Sequence, residues 1–377
     1  MRAAAAAVCL LLATGCSAAS ARVAPPPVWH SAVGQAMSTT HRPALQDQTC
    51  RQVLRLTAGG PQVRLRMSNA TGTAPTSLSS VTVGLRAGAG VRLLQPVTVD
   101  GARAVALGAG EQRTSDPVRL PVVPGDELVV SLAVVGAAEV AAHRVGAARL
   151  ACSAPGTGDL TSSTSGQGFS AAGREGLVVD DVAVAGGPAG VLAAGDSLTD
   201  PELPPDTYPR WTDVLDAQLP AATPVVNAAV AGNRVLLEGG YGPTLLQRFD
   251  RDVLGRDGLG TLVLLAGTND VSAGATAAQL RVELERLCAS ARERGLRIVL
   301  LTVPPASRRG PELEAVRQQV NSWVRTTGAA DLMVDADAVL RDPARPTRLL
   351  PAYDLDQLHL TAAGHRALGL AVAAALR

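Results

Sequence analysis

The sequence predicts an all-β sandwich domain over residues 28–187, followed by an α/β domain with a parallel sheet over residues 188–377. Three observations predict this. Short runs of alternating apolar and polar residues, separated by glycine and proline turns, fill the first half. After Gly187 the pattern changes to apolar strand-like runs alternating with helical segments. The length of 377 residues also exceeds what one hydrophobic core usually carries.

The chain is expected to begin with a leader. Arg2 precedes an apolar run from Ala3 to Ala13, which has the length of a signal-peptide core and is too short to span a bilayer. Ala13-Thr14-Gly15-Cys16 closes it in the manner of a bacterial lipobox, although Leu12 stands one place early. Residues 1–16 are therefore expected to be a signal peptide with Cys16 as lipidation site, and 17–27, with Pro25-Pro26-Pro27, a tether. The remainder is expected outside the cytoplasm, at the cell surface, touching the membrane only through the anchor.

In the first domain, Arg51–Thr57, Gln62–Met67, Val81–Leu85 and Glu127–Leu132 alternate as strands do, and a further run follows Gly176. Turn signals lie at Gly59-Gly60-Pro61, Gly88–Gly90 and Pro124-Gly125-Asp126. Cys50 opens the first clear strand and Cys152 ends a late one. Both would be exported, and the first and last strands of a sandwich often lie close, so a Cys50–Cys152 disulfide is expected.

In the second domain, strands are predicted at Val191–Ala194, Pro224–Asn227, Thr261–Ala266, Arg297–Val303 and Leu332–Asp335. Helices are predicted at Pro209–Leu219, Thr244–Leu254, Thr276–Arg294 with a capping box, Pro311–Gly328, and after the cap Thr361. Strands alternating with helices imply a parallel sheet covered on both faces, with its site at the carboxyl ends of the strands. Cys288 shares a helix face with Leu280, Leu284 and Leu287 and reads as a buried apolar residue.

Hydrophobic residues make up 47% of the chain, and the formal charge is only +1. All the basic residues are arginine. This lacks the basic excess that non-specific nucleic-acid binding needs, so no nucleic-acid partner is expected. Aromatics are only 2%, which argues against broad stacking platforms. No Cys/His grouping has metal-ligand spacing.

Four segments follow strand ends or precede the last helix: Gly195-Asp196-Ser197-Leu198, Ala231-Gly232-Asn233-Arg234, Gly267-Thr268-Asn269-Asp270 and Asp356-Gln357-Leu358-His359. Each alone is an ordinary turn; the ordered combination is specific. A serine hydroxyl becomes a nucleophile when a base takes its proton, and histidine is suited to that near neutrality. A carboxylate must fix the imidazole tautomer. Ser197, His359 and Asp356 supply these roles. The backbone N–H groups of Ser197 and Gly232 and the amide of Asn269 are candidate oxyanion donors. Asp196 reads as a turn carboxylate and Asp337 as structural. Asn233, Arg234 and Tyr241 are either pocket-lining or plain loop residues. His30, His41 and His143 have no aspartate at suitable spacing, and His365 is expected to be exposed.

These four segments resemble the four blocks of the SGNH, or GDSL-type, hydrolases. The match is Ser197, Gly232, Asn269 and His359, with Asp356 in the acid position. Leu360 departs from the proline many members carry there. The β domain and Asp335–Pro343 resemble a two-domain bacterial subgroup described as xylanase-cluster acylhydrolases. The resemblance implies a three-layer α/β fold and ester hydrolysis without metal or cofactor. The expected activity is an extracellular serine esterase cleaving O-acyl, notably acetyl, esters of a small molecule or glycan. The alternatives are a lipase or lysophospholipase, an acyltransferase, and a non-catalytic glycan-binding surface lipoprotein.

Overall fold

The computed structural model describes residues 27–377, apart from 145, 147 and 204–207. The expected leader, Cys16 and nearly all of the expected tether lie outside the described residues.

The N-terminal region is sheet-rich. One sheet orders its strands Trp29–Gly34, Val179–Ala185, Val63–Ser68 and Gln112–Thr114. Another orders Ser170–Gly173, Arg149–Cys152, Thr49–Arg55, Glu127–Ala133, Ser80–Ala87 and Gly90–Pro96. Both are antiparallel throughout. The alternation decides which face is buried. Val63, Leu65 and Met67 of one sheet share a core with Leu54, Val83, Leu128 and Val130 of the other. Cys50 and Cys152 stand opposite each other on neighbouring strands and are joined by a disulfide.

The intervening arginines of the Val63–Ser68 strand reach the second half of the chain. Arg64 pairs with Asp257, while Arg66 donates to Asp180 at 2.8 Å and to the Gly255 carbonyl at 2.7 Å. Buried Arg256 returns the contact, reaching Asp181 and the Asp180 carbonyl at 3.0 Å each. Breaking a buried pair of this kind typically costs about 3–5 kcal/mol. These pairs therefore fix how the two halves sit against each other.

The second half holds five parallel strands in the order Val225–Asn227, Gly190–Gly195, Leu259–Leu265, Arg297–Leu301 and Leu332–Val334. Its helices are α1 (Trp211–Gln218), α2 (Leu245–Phe249, continued by a π-helical turn Asp250–Leu254), α3 (Thr268–Ser272), α4 (Ala277–Glu293), α5 (Pro311–Thr326), α6 (Ala336–Leu340) and α7 (Ala362–Leu376). Successive strand residues serve opposite faces. Leu192, Leu262 and Ile298 pack with α4 and α5, whereas Val191, Val263 and Val299 pack with α1 and α7. Thr276 and Gln279 form the expected capping box, and Thr361 caps α7. Helix α6 and the hairpin Arg341–Asp342/Arg345–Leu349 are additional elements, too short to leave a periodic signal. Cys288 is buried, and burial raises its thiol pKa to about 11. Among the described residues, no helix is long and apolar enough to cross a membrane.

His365 is buried, contrary to the expectation of exposure, at 1% relative accessibility. It belongs to the α7 stripe Gly364, His365, Leu368, Gly369, Val372 and Ala373, which faces the core at helical spacing. Its Nδ1 accepts the Trp211 N–H at 3.3 Å, which requires that nitrogen to be unprotonated. Burial accordingly lowers its pKa from 6.5 to about 4. The unfolded chain takes up this proton first, so the group subtracts stability as pH falls from about 6.5 to about 4. Denaturant midpoints measured across that window should fall less for His365→Gln than for the native protein. An equal fall would assign the acid sensitivity to other groups.

Candidate active site

The strand order places the second strand beside the first and the third on the first strand's other side. Open sheets of this order hold ligands at the carboxyl ends, where the chain direction of the windings reverses. Ser197, Gly232 and Asn269 follow the ends of those three adjacent strands. The first strand ends on Gly195, whose φ is +154° and whose absent Cβ would lie 2.0 Å from the Leu265 carbonyl oxygen. Only glycine permits that approach. The chain then makes a single helical turn, in which the Thr199 and Asp200 N–H groups both donate to Asp196 O.

Ser197 Oγ lies 3.0 Å from His359 Nε2, and His359 Nδ1 lies 2.8 Å from Asp356 Oδ2. Nδ1–H donating to the carboxylate leaves Nε2 free to accept the serine proton. The loop that achieves this is tight. Gln357 takes a left-handed φ of +74°, and the Leu358 and His359 N–H groups both donate to Asp356 Oδ1. Arg308 adds an ion pair at 3.1 Å. Against partial burial, which would raise it, the His359 hydrogen bonds and these charges lower the Asp356 pKa to about 2. Asp356 therefore remains the anion that its place beside an imidazole requires.

Among the described residues, the Ser197 and Gly232 N–H groups have no intramolecular acceptor. Asn269 gives one amide hydrogen to Asn233 O at 2.9 Å and keeps a second. Gly232 has φ +72°, and a Cβ there would meet Tyr241 Cδ2 at 2.2 Å. Fully buried Asp270 accepts from the N–H groups of Val235, Leu236 and Leu237 at 2.7, 3.0 and 3.2 Å. It thereby ties the Gly232 loop to the residue after Asn269. Beneath them, fully buried Arg248 donates to the carbonyls of Gly195 and Ala228 and to Asn233 Oδ1. Sequence reasoning missed both groups; a charged residue on an otherwise apolar helix face was the available signal for Arg248.

The other named residues divide by contact. Arg234 and Tyr241 line a depression of about 380 Å³ together with Gly232, Asn269 and Ser272. Asn233 instead binds the Tyr241 and Pro243 carbonyls and holds the loop's shape. Asp196 accepts the Leu198 N–H through Oδ1, its Oδ2 is buried without a partner among the described residues, and burial raises its pKa to about 6. Buried Asp337 pairs with Arg317, Arg325 and Arg341. His41 pairs with Glu175, and His143 meets Asp200 at 2.8 Å, so two histidines do have acidic partners in space, contrary to their sequence spacing.

A parallel sheet with a serine, histidine and aspartate hydrogen-bonded in series at its strand ends defines a hydrolase-like site. Comparison with protein families makes this specific: the model of the GDSL-like lipase/acylhydrolase family matches residues 193–367. Residues 193–367 thus carry a domain of the GDSL-like lipase/acylhydrolase family. Solved structures similar to it include the carbohydrate acetylesterase Est24 from Sinorhizobium meliloti, at 18% identity and TM-score 0.40, covering 50% of this chain and 98% of that one. A member of the lipolytic G-D-S-L family from Veillonella parvula is 15% identical, with TM-score 0.39 and coverage of 49% and 96%. The acetylxylan esterase Axe2 from Geobacillus stearothermophilus is 20% identical, with TM-score 0.37 and coverage of 50% and 93%. No curated protein matches the chain.

Removing the Asp270 carboxylate leaves three N–H groups, the buried one of Val235 among them, without their acceptor and frees the Gly232 loop. Asp270→Ala should lower kcat by about tenfold or more, since small displacements of catalytic donors cost up to about 10²-fold. Steady-state kinetics on a p-nitrophenyl ester checks this. A folded variant with native kcat would exclude Asp270 from organising the site.

Proposed function

We propose that this chain is an exported serine esterase that removes short O-acyl groups, such as acetyl, from a small molecule or glycan. The observation that carries this reading is the hydrogen-bonded series Ser197–His359–Asp356, at 3.0 and 2.8 Å. In this reading His359 Nε2 takes the Ser197 proton as Oγ attacks the ester carbonyl carbon. The carbonyl oxygen becomes an oxyanion that accepts from Ser197 N–H, Gly232 N–H and the Asn269 amide. His359 then returns the proton to the leaving alcohol. Water repeats the sequence on the acyl-serine, releasing the acid and restoring Ser197. Asp356 stays ionised and stabilises the imidazolium.

A short acyl group is favoured by the depression beside Gly232 and Asn269. Its lining is Arg234, Tyr241, Ser272, Ala273 and the glycines at 239 and 240, with no aliphatic side chain longer than alanine's. A long lipid chain would find little apolar surface there. An intact series argues against a purely glycan-binding role. Export with a lipid anchor at Cys16 rests on the Ala3–Ala13 run and the residues after it. Palmitate labelling that persists in Cys16→Ser would rule out that anchor site.

Ser197→Ala should abolish hydrolysis and fluorophosphonate labelling while the protein stays folded. Among p-nitrophenyl esters kcat/KM should be greatest for acetate and fall with chain length, with acetate released from acetylated xylan in preference to hydrolysis of a lysophospholipid. A maximum at long chains would replace the short-acyl assignment with a lipase. Transfer to a sugar acceptor that outpaces transfer to water would make the protein an acyltransferase.

A further inference from the structure

The sheet-rich N-terminal region reaches into the nucleophile turn through one side chain. His143 ends the short strand Ala141–His143, which pairs with Gly176–Leu177 and Thr39–Thr40. Its ring is 3% accessible and lies between two acceptors. Nδ1 is 2.8 Å from the Ala36 carbonyl oxygen and Nε2 is 2.8 Å from Asp200 Oδ2. A neutral imidazole can donate to only one of them, so the pairing that satisfies both is an imidazolium. Burial alone would lower its pKa, but the Asp200 hydrogen bond and charge raise it overall. Gly146 closes over the ring, where a Cβ would come within 2.5 Å of His143 Cδ2.

Asp200 is the last residue of the turn that carries Ser197. Its N–H donates to Asp196 O at 3.0 Å, closing the turn across the nucleophile. Its other carboxylate oxygen accepts from Arg210 at 2.9 Å, and Arg210 is in turn held by Asp213. The neighbouring residue is fixed separately: Thr199 O accepts from Asn227, and Thr199 Oγ1 accepts from Trp211 Nε1. The next residue after His143 extends the same contact. Arg144 pairs with Glu202 at 3.1 Å and lies 3.8 Å over the Tyr241 ring, the ring that packs against Gly232.

His143, Asp200 and Arg210 also border a cavity of about 530 Å³ between the two halves of the chain. Asp200 is held there by its pairs with His143 and Arg210. We infer that His143 is a positioning residue for the esterase reaction, contributed by the N-terminal region, which fixes the nucleophile turn by clamping Asp200. The N-terminal region is then part of the catalytic apparatus and not only a neighbour of it. This inference rests on Ser197 being the nucleophile.

The test uses the full chain with His143→Leu, His143→Gln, Asp200→Asn and the Gln/Asn double variant. Kinetics are measured on p-nitrophenyl acetate, and fluorophosphonate labelling of Ser197 is followed in parallel. His143→Leu should lower kcat and the labelling rate together by about tenfold or more, with KM within about twofold, because the turn and not the substrate contact is disturbed. His143→Gln retains a donor toward Asp200 and should recover part of the loss. If His143→Leu fails to fold, the Gln and Asn variants decide: their effects on kcat should be clearly less than additive, as expected for two members of one contact. A folded His143→Leu with native kcat and labelling overturns the inference, as does a loss confined to KM, or full additivity in the double variant. Failure of the native protein to label at Ser197 would instead overturn the esterase reading itself.

Discussion

The loops at the carboxyl ends of the parallel strands carry backbone polar groups into a dry interior, and this structure satisfies them with buried charge. A buried carbonyl or N–H without a partner costs about 1–3 kcal/mol. Arg248 takes the carbonyls of Gly195 and Ala228, and Asp270 takes three N–H groups in the Gly232 loop. Arg309, whose burial lowers its pKa to about 10, takes those of Thr268 and Pro304. Arg317 and Asn321 both reach Val303. The loops that bear Ser197, Gly232 and Asn269 are thereby fixed to the layer beneath them.

This arrangement explains why a small number of short motifs suffices. Among the described residues the N–H donors of Ser197 and Gly232 remain unengaged, because neighbouring groups carry the structural hydrogen bonds. Gly195 and Gly232 stand where a side chain would collide with Leu265 or Tyr241. The same logic extends across the contact between the two halves. There, Arg64, Arg256 and His143 pair with Asp257, Asp181 and Asp200. The N-terminal sheets and the hydrolase domain are joined by specific ion pairs, one of which ends on the turn that bears Ser197.

What the sequence made legible was local. The strand–helix alternation, the capping box at Thr276 and the order of the four motifs all depend on residues close together in the chain. His365 was misread as exposed because a polar residue type was weighed above its place in the α7 stripe, which the spacing to Leu368 and Val372 already indicated. The His143–Asp200 pair could not be read from spacing. The two residues are 57 positions apart and meet only because the N-terminal sheets dock on the second half. Asp270 was hidden for a different reason: a carboxylate after a loop asparagine reads as a turn former, and its three N–H partners lie 33–35 positions upstream.

In the proposed reaction Ser197, Gly232 and Asn269 act on one reacting carbonyl. A crystal structure of the protein covalently modified at Ser197 by a phosphonate tests it most directly. The expected result is a tetrahedral adduct whose phosphoryl oxygen lies within hydrogen-bonding distance of the Ser197 and Gly232 N–H groups and the Asn269 amide. An adduct on another residue, or a phosphoryl oxygen directed away from all three donors, would contradict it.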